Sequence, residues 1–266
     1  MPEKVDLYNT SYGNYSAEVY REVRQETYGQ DLGQTSWATA KEFRKIFDLL
    51  NLKSSSSVLE IGCGAGGCAL FLAESLGCLV TGLDLNAEGI RAASELAAAK
   101  KLDSLAKFEV CDVSKPLSFP DSAFDAVFSN DVFCHIPGRL SLLKELRRVL
   151  KPGGRLFYSD ALVISGAVTN EELAARSSIG FYLFAPAGEN ERLIEAAGLR
   201  LVRAEDATEE AATISKRWHD ARIKHRTALI DVEGETNFLG LQRFLWCVYT
   251  LTNERRLSRF LYLAEK

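Results

Sequence analysis

The segment at residues 58–67, VLEIGCGAGG, constrains the fold of this chain more than any other part of the sequence. It is a short apolar run that carries one acid, Glu60, and then breaks into closely spaced glycines. Such a break is expected where a buried parallel strand leaves a sheet, because residues without a Cβ atom let the backbone turn tightly and approach a ligand. The segment therefore predicts a strand, a loop that binds a cofactor, and a helix.

The glycines of this loop fit two kinds of ligand. Gly62, Gly64 and Gly67 satisfy the G-x-G-x-x-G pattern, which places the pyrophosphate of a dinucleotide at a helix N-terminus. Glu60, which precedes the glycines, separates the two possibilities, since a carboxylate repels a pyrophosphate and attracts a cationic or zwitterionic ligand. A positively charged ligand is favoured, and an NAD-dependent oxidoreductase remains the alternative.

Around the loop, apolar strands alternate with amphipathic helices, which is typical of an α/β protein with a doubly wound parallel sheet. The predicted strands are 57–62, 79–84, 107–111, 124–129, 154–162, 199–205 and 257–264. The predicted helices are 15–27, 36–50, 66–77, 86–100, 138–150, 190–197, 207–230 and 235–253. Ligands of such sheets lie beyond the carboxyl ends of the strands. The acids at those ends are therefore candidate site residues: Glu60, Asp84, Asp112, Asp131 and Asp160.

Several motifs, taken in order, carry a family resemblance. They are the glycine loop with Glu60, Asp84 at the end of LVTGLD, Asp112, and LKPGG at 150–154. In this order they resemble the motifs of class I S-adenosylmethionine-dependent methyltransferases, and the resemblance covers most of the chain. Within that superfamily the chain is most similar to small-molecule enzymes of the quinone-biosynthesis, sarcosine and phosphoethanolamine N-methyltransferase and sugar O-methyltransferase kind.

The resemblance implies a fold and a reaction. The fold is a Rossmann-like sheet of seven mostly parallel strands with an antiparallel last strand, and its cofactor-binding core spans 57–162. An N-terminal helical lid at 1–50 and insertions at 163–189 and 207–253 would cover the substrate. The implied activity is transfer of a methyl group from S-adenosylmethionine to a hydroxyl or amine of a small metabolite. A non-catalytic relative that binds this cofactor as a partner subunit or sensor is the alternative, because fold does not fix function.

The resemblance also implies the cofactor contacts. Asp84 is expected to accept hydrogen bonds from both ribose hydroxyls, while Asn86 caps the following helix. Asp112 and Val113 would contact the adenine, and Tyr28 and Trp37 would lie over the methionine end unless Trp37 is simply buried. The complete set of expected cofactor-binding residues is Glu60, Gly62, Cys63, Gly64, Gly66, Asp84, Leu85, Asp112, Val113, Asn130, Tyr28 and Trp37.

The segment SNDVFCHIP at 129–137 follows the fourth strand, where the resemblance places the transferable methyl group. In the sugar O-methyltransferases, residues matching His135 and Asp160 are associated with deprotonating a hydroxyl, with Asp160 orienting the imidazole. A satisfied structural histidine is the other interpretation. Asp131 would instead attract a cationic amine. The aromatic residues expected to line the substrate pocket, or else to pack in the core, are Phe181, Tyr182, Trp218 and Phe244.

Composition narrows the partners. A formal charge of −4 argues against a protein built to bind a nucleic-acid backbone, and the basic run at 216–226 fits a solvated helix face around Ile214, Trp218 and Ala221. The six cysteines include no C-x-x-C pair, which predicts reduced thiols, no metal site and a cytoplasmic protein. No apolar run is long enough to span a membrane. A homodimer is compatible with the sequence, which does not decide the oligomeric state.

Overall fold

The strands that the alternating pattern predicts all form, and they join in one sheet. The computed structural model describes residues 5–266. Its strands are β1 (Ser57–Ile61), β2 (Leu79–Asp84), β3 (Ala106–Val110), β4 (Phe124–Ser129), β5 (Leu150–Ile164), β6 (Ala185–Pro186), β7 (Arg200–Asp206) and β8 (Leu257–Glu265). The described part of the sheet has eight strands rather than the predicted seven, because the short β6 pairs with the end of β5.

The strand order is β3-β2-β1-β4-β5-β8-β7. Strands β1 to β5 run parallel, and β8 runs antiparallel between β5 and β7, as the resemblance implies. The chain moves outward from β1 through β2 to β3 and then crosses back to β4 on the other side of β1. The strand order therefore reverses between β1 and β4, which is where ligands of such sheets bind.

Helices cover the sheet and its carboxyl end. They are α1 (Tyr8–Gly13), α2 (Glu18–Tyr28), α3 (Ala40–Leu50), α4 (Gly67–Leu76), α5 (Ala87–Ala99), α6 (Arg139–Val149), α7 (Asn170–Arg176), α8 (Glu189–Ala196), α9 (Thr208–Lys224), α10 (Arg226–Glu233) and α11 (Glu235–Asn253). A 3₁₀ turn spans Phe133–His135. No helix within residues 5–266 combines the length and apolar character needed to cross a bilayer.

Three helix predictions needed correction. The helix predicted at 36–50 begins at Ala40, because Thr39 adopts an extended conformation and its side chain accepts a hydrogen bond from the Glu42 amide. The helix predicted at 207–230 is divided at His225 into α9 and α10. The sequence reasoning missed α1, and it began the helix at 15–27 earlier than α2 begins.

The two faces of the sheet bury separate apolar clusters. Along β4, Ala126 and Phe128 face the cluster that holds α3 and α4, whereas Val127 faces the cluster that holds α6 and α8. This alternation is the period-two pattern of a strand covered on both faces. A third cluster joins α2, α9 and α11 beyond the carboxyl end of the sheet, and it contains Trp37, Trp218 and Phe244. The cap and the N-terminal helices therefore share one core above the candidate site.

Candidate active site

A cavity of about 580 Å³ lies at the carboxyl ends of β1 to β4. The loops that follow these strands form its floor, and residues of α1, the 32–36 loop and the 179–181 segment form its cover. The cavity brings together most of the predicted cofactor-binding residues, namely Glu60, Gly62, Cys63, Gly64, Asp84, Leu85, Asp112, Val113 and Asn130. It also contains the candidate catalytic residues Asp131 and His135 and the aromatic residue Phe181.

The glycine loop turns where the sequence predicts. Gly62 has a φ of +73°, a left-handed conformation that favours glycine, and a Cβ atom there would collide with Val132. The amides of Gly62 and Cys63 donate hydrogen bonds of 2.7 and 3.0 Å to the carbonyl of Leu83. Gly66 lies against Ala93 and is not among the residues that line the cavity, and its contact with the cofactor stays a prediction. The glycines thus allow the loop to pack closely against its neighbours and also allow a ligand to approach its backbone.

Glu60 lines the cavity and has a buried oxygen without a hydrogen-bond partner in the described chain. The side chain is buried, and its Oε2 atom has no hydrogen-bond partner within the described chain. Burial, followed by the neighbouring charge of Asp84, raises the pKa of Glu60 well above its usual value. A buried carboxylate oxygen without a donor is unfavourable, and a cation bound in the cavity would satisfy it.

Asp84 ends β2 in the position that the sequence predicts. Its Oδ2 atom accepts a hydrogen bond of 2.8 Å from the Gly64 amide, and its Oδ1 atom accepts one of 2.8 Å from the Asn86 amide. Asn86 caps α5 by accepting from the Gly89 amide, as predicted. Burial raises the pKa of Asp84. The backbone bonds therefore fix the carboxylate at the cavity wall, and each oxygen keeps a lone pair for a ligand.

Asp112 and Val113 lie at the rim of the same cavity. The Asp112 Oδ1 atom accepts hydrogen bonds from the hydroxyl of Ser114 at 2.6 Å and from its amide at 3.1 Å. These bonds, with a further contribution from Lys115, lower the pKa of Asp112. Asp112 therefore organises a turn and also faces the cavity, so the two interpretations of this residue are compatible.

His135 does not contact Asp160, the acid that was expected to orient its ring. Its Nδ1 atom lies 3.0 Å from the carbonyl oxygen of Phe181, and its Nε2 atom lies 2.9 Å from the hydroxyl of Tyr8. Because a carbonyl only accepts, Nδ1 carries the proton, and Nε2 accepts a hydrogen bond from Tyr8. Burial, together with the nearby charge of Arg176, lowers the pKa of His135 to about 4. The imidazole is therefore neutral at physiological pH, with its lone pair on Nε2.

The predicted pair of His135 and Asp160 is not formed, because Asp160 binds other side chains. Its carboxylate is fully buried, and its Oδ2 atom accepts hydrogen bonds from Arg139 at 2.6 Å and from Asn190 at 3.0 Å. Arg139 begins α6, so the pair fixes this helix to the middle of β5. Asp160 lies near the end of the predicted strand 154–162, but β5 continues to Ile164 and holds the acid inside the sheet.

Asp131 belongs to a buried ion cluster. Its Oδ1 atom accepts hydrogen bonds of 2.8 Å from Arg259 Nε and from the Ser159 hydroxyl, and its Oδ2 atom accepts one of 3.0 Å from the Trp37 amide. Arg259 also pairs with Glu42 of α3 at 2.7 Å. Asn130 joins the cluster through its carbonyl, which accepts from Arg259 and Ser159, and its amide donates to Ser36. The charge of Asp131 therefore has a cationic partner within the chain.

The predicted aromatic residues divide into cavity and core. Phe181 is 55% exposed and lines the large cavity, while Tyr182 and Phe244 line a smaller cavity beside it. Trp218 is buried in the third apolar cluster, against Tyr28 and Trp37. Tyr28 and Trp37 lie in that cluster rather than along the large cavity, and the Tyr28 hydroxyl donates to the Ser36 carbonyl. Trp37 also lines the smaller cavity, and the contact of these two residues with the methionine end stays a prediction.

Tyr8 and Tyr12 were missed by the sequence reasoning. Both lie on α1 and both line the large cavity, with Tyr8 against His135 and Tyr12 above Gly64. Their separation by four residues places them on one face of a helix, and this spacing was the available signal. The helix has six residues, which is too short for a clear periodic pattern.

Comparison with known proteins agrees with this geometry. Residues 59–158 match a family model described as a methyltransferase domain. The chain is 31% identical over 194 residues to phosphoethanolamine N-methyltransferase 1 of Zea mays, a match that covers 73% of this chain and 38% of the maize protein. It is 26% identical over 204 residues to the 27-O-demethylrifamycin SV methyltransferase of Amycolatopsis mediterranei strain S699, covering 72% of this chain and 75% of that protein. The chain thus spans less than half the length of the first of these relatives.

A solved structure has the same fold over almost the whole chain. Haemonchus contortus phosphoethanolamine N-methyltransferase 2, in complex with phosphomonomethylethanolamine and S-adenosylhomocysteine, matches with a TM-score of 0.81 and 20% identity. The match covers 97% of this chain and 60% of that one. The residues that match the family model, 59–158, begin in β1 and end in the middle of β5. They include the glycine loop and the acids of the cavity floor. The chain therefore contains, at residues 59–158, a domain of the class I S-adenosylmethionine-dependent methyltransferase type, and the relatives that it matches include methyltransferases of small molecules.

Proposed function

We propose that this chain transfers the methyl group of S-adenosylmethionine to a hydroxyl or amine of a small metabolite. The observation that carries the proposal is the unpartnered Oε2 atom of Glu60, buried at the floor of the large cavity. S-adenosylmethionine has an ammonium and a sulfonium, either of which satisfies a buried carboxylate. The pyrophosphate of NAD would add further negative charge beside the two acids Glu60 and Asp84, which opposes the oxidoreductase alternative.

The residues of the cavity fit this cofactor in distinct parts. Glu60, with the loop residues Gly62, Cys63 and Gly64, would hold the amino-acid end. Asp84 would accept hydrogen bonds from the ribose hydroxyls beside Leu85, because its fixed carboxylate faces the cavity. At the rim, Asp112 and Val113 would contact the adenine. Asn130 lies between the loop and the buried ion cluster, and we assign it a supporting position at the cofactor.

The bound cofactor would supply a methyl group on a cationic sulfur, which is displaced in line by the acceptor atom. The protein's part is to align the acceptor and to keep water out of the cavity. Tyr8, Tyr12, the 32–36 loop and the 179–181 segment cover the cavity on the side away from the sheet. We therefore interpret residues 5–50 as a lid, 57–162 as the cofactor core, and 163–189 with 207–253 as the substrate cap; residues 1–4 of the predicted lid lie outside the described residues.

His135 is our candidate general base for a hydroxyl acceptor. Its neutral ring presents the Nε2 lone pair to the hydroxyl of Tyr8 at the edge of the cavity. An acceptor hydroxyl would either replace the Tyr8 hydroxyl at Nε2 or give its proton to Tyr8 while Tyr8 gives its own proton to Nε2. An amine acceptor would not require this base, since a neutral amine already has a free lone pair. Asp131 is bound to Arg259, and Asp160 is bound to Arg139. We therefore assign both acids positioning roles, in place of attraction of an amine by Asp131 and orientation of the imidazole by Asp160.

Two measurements test the proposal in sequence. Native mass spectrometry of the purified protein, incubated with S-adenosylmethionine and NAD together, should retain S-adenosylmethionine or its demethylated product and no NAD. Cofactor consumption is then followed with hydroxyl, amine, carboxylate and thioether acceptors, of which a hydroxyl or amine should support turnover. Retained NAD would contradict the cofactor assignment, and retained cofactor without turnover on any acceptor would support a non-catalytic binding protein.

A small-molecule acceptor agrees with the partial cover that α1, the 32–36 loop and the 179–181 segment place over the cavity. The cytoplasmic location, the lack of a nucleic-acid partner and a homodimeric state stay predictions from the sequence.

A further inference from the structure

Arg176, the last residue of α7, is buried in the substrate cap. The residue is 2% exposed, and its guanidinium lies over the rings of Tyr182, Phe244 and Trp37, at 4.6, 5.1 and 5.9 Å from their centroids. Aromatic faces attract a guanidinium, but they do not accept its N–H groups as an anion does. The aromatic contacts therefore attract the charge of the guanidinium without accepting all of its N–H groups.

Three arginines rank among the largest fully buried side chains, and Arg176 differs from the other two. Arg222 forms an ion pair with Glu233, and Arg259 pairs with Glu42 and Asp131. For Arg176, no carboxylate of residues 5–266 lies within ion-pair distance, and its Nη1 atom is buried without a hydrogen-bond partner. An arginine cannot lose its charge inside a protein, and a buried unpaired charge is strongly unfavourable. An anionic ligand would remove this penalty.

The position of Arg176 connects it to the proposed reaction. Together with Tyr8, His135 and Tyr182 it lines a cavity of about 20 Å³. Tyr8 and His135 also line the large cavity, so the two cavities adjoin at the candidate base. Asp131 lines the small cavity too, but it is bound to Arg259. The cation thus lies beside the candidate base, next to the space that an acceptor would occupy.

We propose that Arg176 binds an oxyanion group, a carboxylate or a phosphate, of the methyl acceptor. The inference rests on the proposed function, because it names the substrate class of the same site. A planar guanidinium binds either group through paired N–H donors, and the hydroxyl of Tyr182 offers a further donor on the same wall. In the closed arrangement the small cavity has room for about one water molecule, so the oxyanion enters when Tyr8 or the 177–183 segment moves outward.

Anion binding to the protein saturated with S-adenosylhomocysteine tests the inference without any turnover. The probes are inorganic phosphate and acetate, with chloride at matched ionic strength as the reference, and the readout is the midpoint of thermal unfolding. We expect phosphate or acetate to raise the midpoint of the wild-type protein above that in chloride, and the anion that does so identifies the group. In Arg176→Gln, the concentration needed for half of the effect should rise at least about tenfold.

Two further variants make the result interpretable. Arg243→Gln removes an exposed arginine of α11 and should keep the anion effect, whereas Arg176→Lys keeps the charge without the paired donors and should bind the anion more weakly than wild type. If Arg176→Gln does not fold, Arg176→Lys decides. An equal effect of both anions and chloride on the wild type, or an unchanged effect in the Arg176 variants, would overturn the inference. Failure of S-adenosylhomocysteine to bind would instead contradict the proposed function.

Discussion

The hydroxyl of Tyr8 and the Nε2 atom of His135 lie 2.9 Å apart, which joins the first helix of the chain to the turn that follows β4. The partner of the other ring nitrogen is the Phe181 carbonyl, in the segment between α7 and β6. His135 is therefore held between the N-terminal cover and the substrate cap. This arrangement leaves the lone pair of Nε2, which a general base needs, at the edge of the cavity.

Replacement of His135 by alanine tests its role as a base. We expect turnover of a hydroxyl acceptor to fall by about 10²–10⁴-fold, because the proton of the hydroxyl loses its acceptor. The affinity for S-adenosylmethionine, measured by calorimetry, should remain nearly unchanged. His219→Ala is the matched control, since His219 lies on α9 beside Trp246 and away from the cavity. Unchanged turnover in His135→Ala would remove this residue from the mechanism.

The pH dependence follows from the lowered pKa of His135, which burial brings to about 4. The base is deprotonated above that value, so the acid limb of kcat/KM assigned to this group should lie near pH 4 and not near the ordinary histidine value of about 6.5. The profile is measured with a hydroxyl acceptor and buffers of constant ionic strength. An acid limb near the ordinary histidine value, lost in His135→Ala, would contradict the lowered pKa.

The same pKa has a consequence for stability. Between about pH 6.5 and about pH 4 the unfolded chain binds a proton at His135 that the folded chain does not bind. The free energy of unfolding should therefore fall as the pH decreases through this window, and His135 should contribute no pH dependence above it. Denaturant unfolding of the wild type and of His135→Asn, compared across the window, measures this contribution. If the free energy of unfolding had the same pH dependence in both proteins, the prediction would be contradicted.

The buried arginines should differ in their contribution to stability. Arg222→Met leaves Glu233, whose side chain is fully buried, without its cationic partner, and we expect a loss of about 3–5 kcal/mol in the free energy of unfolding. Arg176→Met leaves no carboxylate of the described residues unpaired, so its loss should be much smaller. Urea unfolding of both variants provides the comparison. Equal losses would indicate that Arg176 has a partner that these contacts do not include.

Much of the fold could be predicted because its signal is local. The apolar runs of β1, β2 and β4 and the glycine loop occupy consecutive residues, and Asn86 caps α5 as its sequence position indicates. Glu60 and Asp84 line the cavity for the same reason, since parallel strands that end together bring their last residues together. The two-residue strand β6 carries too short a pattern to be detected.

The partners of the side chains could not be predicted in the same way. Asp160 lies near the predicted end of its strand, but its partners are Arg139 and Asn190. Arg139 lies only four residues beyond His135, the partner that was expected for Asp160. Asp131 is bound by Arg259, which is 128 residues away. Such pairings depend on how β8 and α6 pack against the sheet, which no local pattern records. Trp37 and Trp218 similarly pack together only because the cap folds over the N-terminal helices.

The account depends most directly on Glu60 as the partner of a cationic cofactor. Calorimetric titration of wild type, Glu60→Gln and Glu88→Gln with S-adenosylmethionine and, separately, with NAD measures this dependence; Glu88 is an exposed glutamate of α5 that serves as the control. We predict that the wild type and Glu88→Gln bind S-adenosylmethionine and not NAD, and that Glu60→Gln binds S-adenosylmethionine at least about tenfold more weakly. Binding of NAD by the wild type, or equal affinity of all three proteins for S-adenosylmethionine, would contradict the account.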